Sequence, residues 1–321
     1  MAYDYLTWIA LKRPLTEKEK SRRIDVHKPV ATDAADAHTV FSMNDTVLEI
    51  CDGAYFQQGW ALFAFLIGFP LLLFFAVSTA LTSIDVPAAI TRNGDQFWFS
   101  VTGWIEAAIA FAGCAVTVFF LRQDCFNYRH KPVRFNRKTR MVYAFRHNGS
   151  GGVIQVPWDS AFFYPHRKAS NRMLGGAPTI MRCLVLDEAD RVINTFSFGA
   201  RVVNSDTEDT DYGRQVLYQV QANFELIRRY MESGPASIPA IQHYLPKGPS
   251  LRASLSAWFF GVNDIGRLRH SARLFTFVLS GPLFVMAILH YIAQLTSREP
   301  VWPAEIEAAC GNAQPTIATV A

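Results

Sequence analysis

Residues 60–84 read WALFAFLIGFPLLLFFAVSTALTSI, and the reading of this stretch decides the fold. It lies in a longer run, Gly53 to Ile84, that contains no Asp, Glu, Lys or Arg. A bilayer core of roughly 30 Å takes about 20 apolar residues as helix. Lipid offers backbone N–H and C=O groups no water, so a run of this kind takes the helical form that satisfies them internally. Two further stretches qualify. Phe97 to Leu121 holds one charge, Glu106, and Leu274 to Ser297 holds none. The first span is expected over Trp60 to Leu81, the second over Trp98 to Leu121 and the third over residues 273–297.

Charge sets the expected orientation. Between Arg122 and Arg172 stand eleven Lys or Arg against two acids, Asp124 and Asp159. Arg267, Arg269 and Arg273 precede the third span, whereas the tail from Arg298 carries one Arg and three Glu. Cations accumulate on the cytoplasmic side of spans. The expectation is a multi-pass protein of a bacterial inner membrane, with the N-terminus and residues 122–273 cytoplasmic and the C-terminus periplasmic. The resulting plan is an N-terminal cytoplasmic segment (1–58), a transmembrane hairpin (59–121) and a cytoplasmic β-rich domain with a capping helix (122–234). A linker with an interfacial helix (235–272), a third span (273–297) and a short periplasmic tail (298–321) complete it. The five cysteines form no CxxC pair, so no disulfide framework is expected.

Within the spans, Pro70 and Pro282 predict bends, because proline removes a backbone donor. Gly103, Ala107, Ala110, Cys114 and Thr117 place small residues along one face of the second span, which suits close helix packing. Glu106 is the one acid inside a span. With His290 it is expected to form an intramembrane polar pair, both residues falling in the outer half of the bilayer. A sharper version makes the pair a proton or ion relay of a small transport component, which three spans could line only in a homo-oligomer.

From Lys131 the hydrophobic period changes to two. Strands are expected at Pro132–Phe135, Met141–Phe145, Val153–Val156, Ser160–Tyr164, Thr179–Leu186 and Arg191–Phe198, separated by Asn-, Gly- and Asp-rich turns. Ser205 and Glu208 fit a capping box. A helix over Asp211 to Met231 follows, with Val216, Val220, Phe224, Ile227 and Tyr230 as one apolar stripe. The fold class is therefore an α+β membrane protein: three transmembrane helices plus a cytoplasmic antiparallel β-domain capped by a C-terminal helix. The proline-bearing stretch 235–249 reads as a linker. Leu255, Trp258 and Phe259 then share a helical face that would anchor a helix on the inner leaflet.

The order of these elements over about residues 128–233 is a hairpin, a Gly-rich turn, Val156-Pro-Trp158-Asp159, two more strands and a helix. It resembles pleckstrin-homology-like domains. The resemblance implies phosphate-recognising cations at the first hairpin turn, here Arg134, Arg137, Lys138 and Arg140, as a lipid-binding set. Residues 122–140, RQDCFNYRHKPVRFNRKTR, together with Val156–Asp159, resemble an uncharacterised proteobacterial membrane-protein family often encoded beside type VI secretion effectors. That resemblance implies an accessory or immunity role and supplies no catalytic residues.

No Ser-His-Asp or Cys-His order and no metal-ligand spacing stands out. The expectation is a non-enzymatic protein with no catalytic or metal residues and no cofactor. Its expected partners are the bilayer, a protein and further copies of itself. Nucleic acid is not among them, since no exposed aromatic pattern accompanies the basic charge. The alternatives are a sensor of anionic lipid or membrane stress, and the transport component built on Glu106 and His290.

Overall fold

A computed structural model describes residues 2–3, 8–167, 177–204, 208–259 and 270–311. The chain starts with the paired strands β1 (Ala2–Tyr3) and β2 (Trp8–Ile9), then β3 (Arg13–Pro14), α1 (Glu17–Ser21), β4 (Val40–Met43) and β5 (Val47–Ile50). Three helices follow: α2 (Trp60–Ile84), α3 (Ala88–Asn93) and α4 (Gln96–Cys125). Strands β6 (Val133–Asn136), β7 (Met141–Phe145), β8 (Val153–Pro157), β9 (Phe162–Arg167), β10 (Ala177–Leu186) and β11 (Arg191–Asn204) come next. The remaining helices are α5 (Asp211–Ser233), α6 (Leu251–Phe259), α7 (His270–Thr296) and α8 (Ala304–Cys310). These elements divide into two compact units. One takes residues 1–55, 130–248 and 299–321, the other residues 56–129 and 249–298.

Among the described residues the first unit contains the β1–β2 pair, two larger antiparallel sheets and the helices α1, α5 and α8. The larger sheet has the order β4-β5-β6-β7-β8, the smaller β3-β11-β10-β9. Its core is aromatic. Trp158 is fully buried, with Phe135, Phe163 and Phe224 rings 6.0, 5.2 and 5.9 Å away. Phe224, Val220, Ile227 and Tyr230 come from one face of α5, so the expected stripe is the face that meets the sheets. The α5 N-cap is Thr210, whose side chain accepts from Gly213 N, and not Ser205, which lies outside the described residues. Glu208 pairs instead with Arg22.

The boundary of this unit differs from the expected 122–234. Strands β4 and β5 belong to its larger sheet, where Val47 lies opposite Asn136 and Ile50 opposite Val133. The tail belongs to it as well. Val301 N donates to Asn148 Oδ1, Asn136 Nδ2 donates to Ala309 O, and the Trp302 ring stands edge-on to Phe145 at 5.6 Å. Residues 299–311 therefore pack in the same unit as residues 130–248.

In the second unit α2 and α4 run side by side. Gly103 permits the close approach there, since a Cβ would stand 2.0 Å from Ser83 Oγ. Ala107, Ala110 and Cys114 continue this buried face of α4. The outward faces are apolar and exposed, as at Leu71, Phe74, Phe97 and Ile109. Both helices are long and apolar enough to cross a membrane; the described part of α7 gives a shorter apolar run, Ser280–Thr296. Pro70 and Pro282 lie inside α2 and α7.

One end of this bundle is tied by polar contacts. The first N–H groups of a helix have no partner within it. The Asp124 carboxylate supplies one to α2, accepting from Gly59 N at 2.8 Å, Ala61 N at 3.0 Å and Leu62 N at 3.3 Å. Ser297, just past α7, donates to Asp124 O and Cys125 O. The start of α2, the end of α4 and the end of α7 thus meet at one end.

Candidate functional site

The four basic residues of the expected lipid-binding set do not form one surface. Arg134 on β6 is buried. Its Nε lies 3.4 Å from Glu49 Oε2, its Nη1 donates to Glu307 Oε1 at 3.1 Å, and its guanidinium sits 4.2 Å from the Trp302 ring centroid. Arg137 donates from Nε and Nη2 to Asp45 O, 3.3 Å each. Arg140 is held by Asp159 and Glu232. Lys138 is exposed. Alternating side chains on a strand place Arg134 and Phe135 on opposite faces of the sheet. The face of Arg134 is covered by Trp302 and α8, and that cover removes it from any headgroup.

Glu49, which Arg134 faces, is buried beside Lys247 Nζ at 2.9 Å. Burial pushes its carboxyl up, but Arg134 and Lys247 outweigh that and hold it below the ordinary value. A second buried carboxylate, Glu225 on α5, accepts from Val30 N, Arg228 Nε and Arg229 Nε. Burial raises it, while these three donors bring it down to about 2 from 4.5. A depressed carboxylate stabilises the fold above its unfolded pKa, and this contribution is lost as pH falls through the folded value. Glu225→Gln should cost on the order of 2–3 kcal/mol at neutral pH. It should also flatten the acid limb between pH 4.5 and 2. Denaturant titrations at stepped pH check this.

The expected Glu106–His290 pair is not formed. His290 is fully buried, its Nδ1 2.9 Å from Ser254 Oγ on α6, and its backbone packs against Gly59 at the tied end of the bundle. Glu106 is exposed on α4, eighteen residues before Asp124, or about 27 Å along the helix axis. The relay loses its geometry. Leu255, Trp258 and Phe259 are half-buried as α6 packs along α7, with Trp258 6.0 Å from the Trp60 ring. The helix expected to lie on the inner leaflet packs along α7 in the second unit.

The described residues contain one group with the makings of a ligand site, and none of its donors was expected from the sequence. His27 precedes β4, Asp159 lies in the 3₁₀ turn Trp158–Ser160, and Glu232 sits in the last turn of α5. Their donor atoms lie within 4.8 Å of one another. Arg140 comes from the β6–β7 turn with φ +54. Its Nε donates to Asp159 Oδ2 at 2.8 Å and its Nη2 to Glu232 Oε1 at 2.8 Å. Trp158 Nε1 also donates to Glu232 Oε1, at 2.8 Å. The Arg140 guanidinium lowers both carboxyls against the upward push of partial burial. A cavity of 280 Å³ adjoins the group, lined by Arg23, Asp25, His27 and Asp159 among others. Separations of more than a hundred residues between His27 and the other members left no local pattern to read.

Residues 110–170 and 180–314 match the family described as "Family of unknown function (DUF6708)", more than half of the chain. The chain belongs to this family. No curated protein and no solved structure matches it. The matched residues run from mid-α4 through β6–β11 and α5 to α8, so they include Arg134, Arg140, Asp159 and Glu232 and exclude His27 and Glu49.

Proposed function

We propose that this chain is a non-enzymatic membrane-anchored protein. It tethers a β-rich, pleckstrin-homology-like domain to a bacterial inner membrane and presents it, on the cytoplasmic side, to a protein partner. An accessory or immunity role linked to type VI secretion is the setting we favour. The observation that carries the anchoring is the exposure of the two most apolar helices. Only 6% of the most apolar window of α2 and 17% of that of α4 is buried. A helix that apolar in a water-soluble fold is a core helix and is covered. Exposed apolar area of this extent marks contact with a membrane or a partner. In the first unit, α5 closes the space between two antiparallel sheets, an arrangement that leaves sheet edges and loops to bind a partner.

Two measurements test the reading. The protein should stay with membranes through carbonate extraction and leave them only in detergent; recovery in the carbonate supernatant would end the anchoring proposal. Affinity purification from native membranes should then yield a stoichiometric protein partner. Enrichment of anionic lipid with no protein would transfer the case to lipid sensing.

A further inference from the structure

We propose that His27, Asp159 and Glu232 form a binding site for a first-row divalent transition cation, with Zn²⁺ as the best match. The argument is independent of the membrane reading. Three side chains from three separate segments converge, and one atom of each lies within 4.8 Å of the other two. Ligands of one Zn²⁺ stand 2.0–2.2 Å from the metal, so donor pairs are roughly 3–4 Å apart. Rotation of exposed side chains by about 1 Å closes the difference. The donor set is one imidazole nitrogen and two carboxylate oxygens. That set suits zinc and its neighbours, whereas Mg²⁺ and Ca²⁺ prefer oxygen alone.

The surroundings resemble the outer shell of a metal centre more than a chance surface cluster. The buried Trp158 indole fixes one oxygen of Glu232 through its N–H. Outer hydrogen bonds of this kind orient metal ligands. On the opposite side, Asp25 Oδ1 accepts from His27 N and sets the turn that carries the imidazole. The cavity beside His27 and Asp159 leaves room for a fourth ligand, a water or a carboxylate.

Arg140 is the resident cation. It spans Asp159 and Glu232 and cancels the repulsion between them. The guanidinium engages both Asp159 oxygens and Glu232 Oε1, so a metal at these oxygens competes with Arg140. The other charges nearby are Lys28, paired with Asp25 at 3.2 Å, Arg23, stacked on the Phe162 ring at 5.3 Å, and Arg228, bonded to Glu225 and acting on Glu232 through space. None of them hydrogen-bonds the three donors. The site is therefore an exchange between an internal guanidinium and an external metal.

The test is calorimetric titration of the detergent-solubilised full chain with Zn²⁺ alone, and with Mg²⁺ and Ca²⁺ for comparison. One Zn²⁺ per chain is expected, with little heat from the other two. His27→Gln, a change at an exposed position, should weaken Zn²⁺ binding by about tenfold or more. Arg140→Gln should tighten it by a similar factor, since the competitor is gone. Unchanged Zn²⁺ affinity in His27→Gln, or no Zn²⁺ binding in either the wild type or Arg140→Gln, would overturn the assignment. If Arg140→Gln fails to fold, His27→Gln decides alone.

Discussion

Arg134→Met should unfold the first unit at lower denaturant than the wild type, a loss of about 1–3 kcal/mol. The substitution keeps the aliphatic bulk and removes the charge. Glu49 is then left buried at 1% exposure, with Lys247 as the cation at its carboxylate and a hydroxyl, Ser42, 3.2 Å away. Glu307 loses its ion pair and Trp302 loses the cation on its face. The cost arises from a buried Glu49 that keeps only one of its two cations and from the lost Glu307 and Trp302 contacts, so Glu49→Gln combined with Arg134→Met should cost less than the sum of the two single changes. Additive losses would show that Glu49 and Arg134 act separately. The same variant should free the tail: limited proteolysis should cut near residues 299–311 sooner than in the wild type.

Reporter fusions should give the second large effect, an all-or-none one. A cytoplasm-active reporter placed after Ala321 should behave like one placed before Met1, and a periplasm-active reporter should be silent at both ends. Charge counting alone predicts the opposite for the C-terminus. The structural ground is that Asn136, Arg134 and Asn148, all within 130–248, hold Ala309, Glu307 and Val301. Activity of the periplasmic reporter at the C-terminus would mean that this packing does not exist in the membrane-embedded protein.

These two predictions rest on contacts that local sequence signals do not reach. The apolar helices were legible because lipid-length runs without charge have few other readings. Strands β6 to β11 were legible because period-two alternation and turn residues act over five to ten residues. The β4–β5 hairpin carried a comparable signal, with Val40-Phe41 and Val47-Leu48 around Asn44, whose side chain accepts from Thr46 N and Val47 N. It was hidden by its position ahead of the first apolar helix, which invites a domain boundary. The tail was illegible for a different reason. Its partners, Arg134 and Asn136, lie more than 160 residues away, and a lone Trp302 or Glu307 says nothing about what it will cover. Arg134, Arg137, Lys138 and Arg140 read as one positive patch because each counts equally in a sequence. Strand alternation buries Arg134, while the turn hands Arg140 to Asp159 and Glu232.

The pairing of β5 with β6 also fixes an order of events during synthesis. Ile50 and Val133 face each other across the ladder, yet the whole α2–α4 hairpin is translated between them. A nascent chain displays the β4–β5 edge with no β6 beside it until two long apolar helices have left the ribosome. The central sheet can close only afterwards, and its outer face is covered last, when α8 emerges. A chain cut short before β6 therefore carries an unpaired strand edge for proteases and chaperones to find.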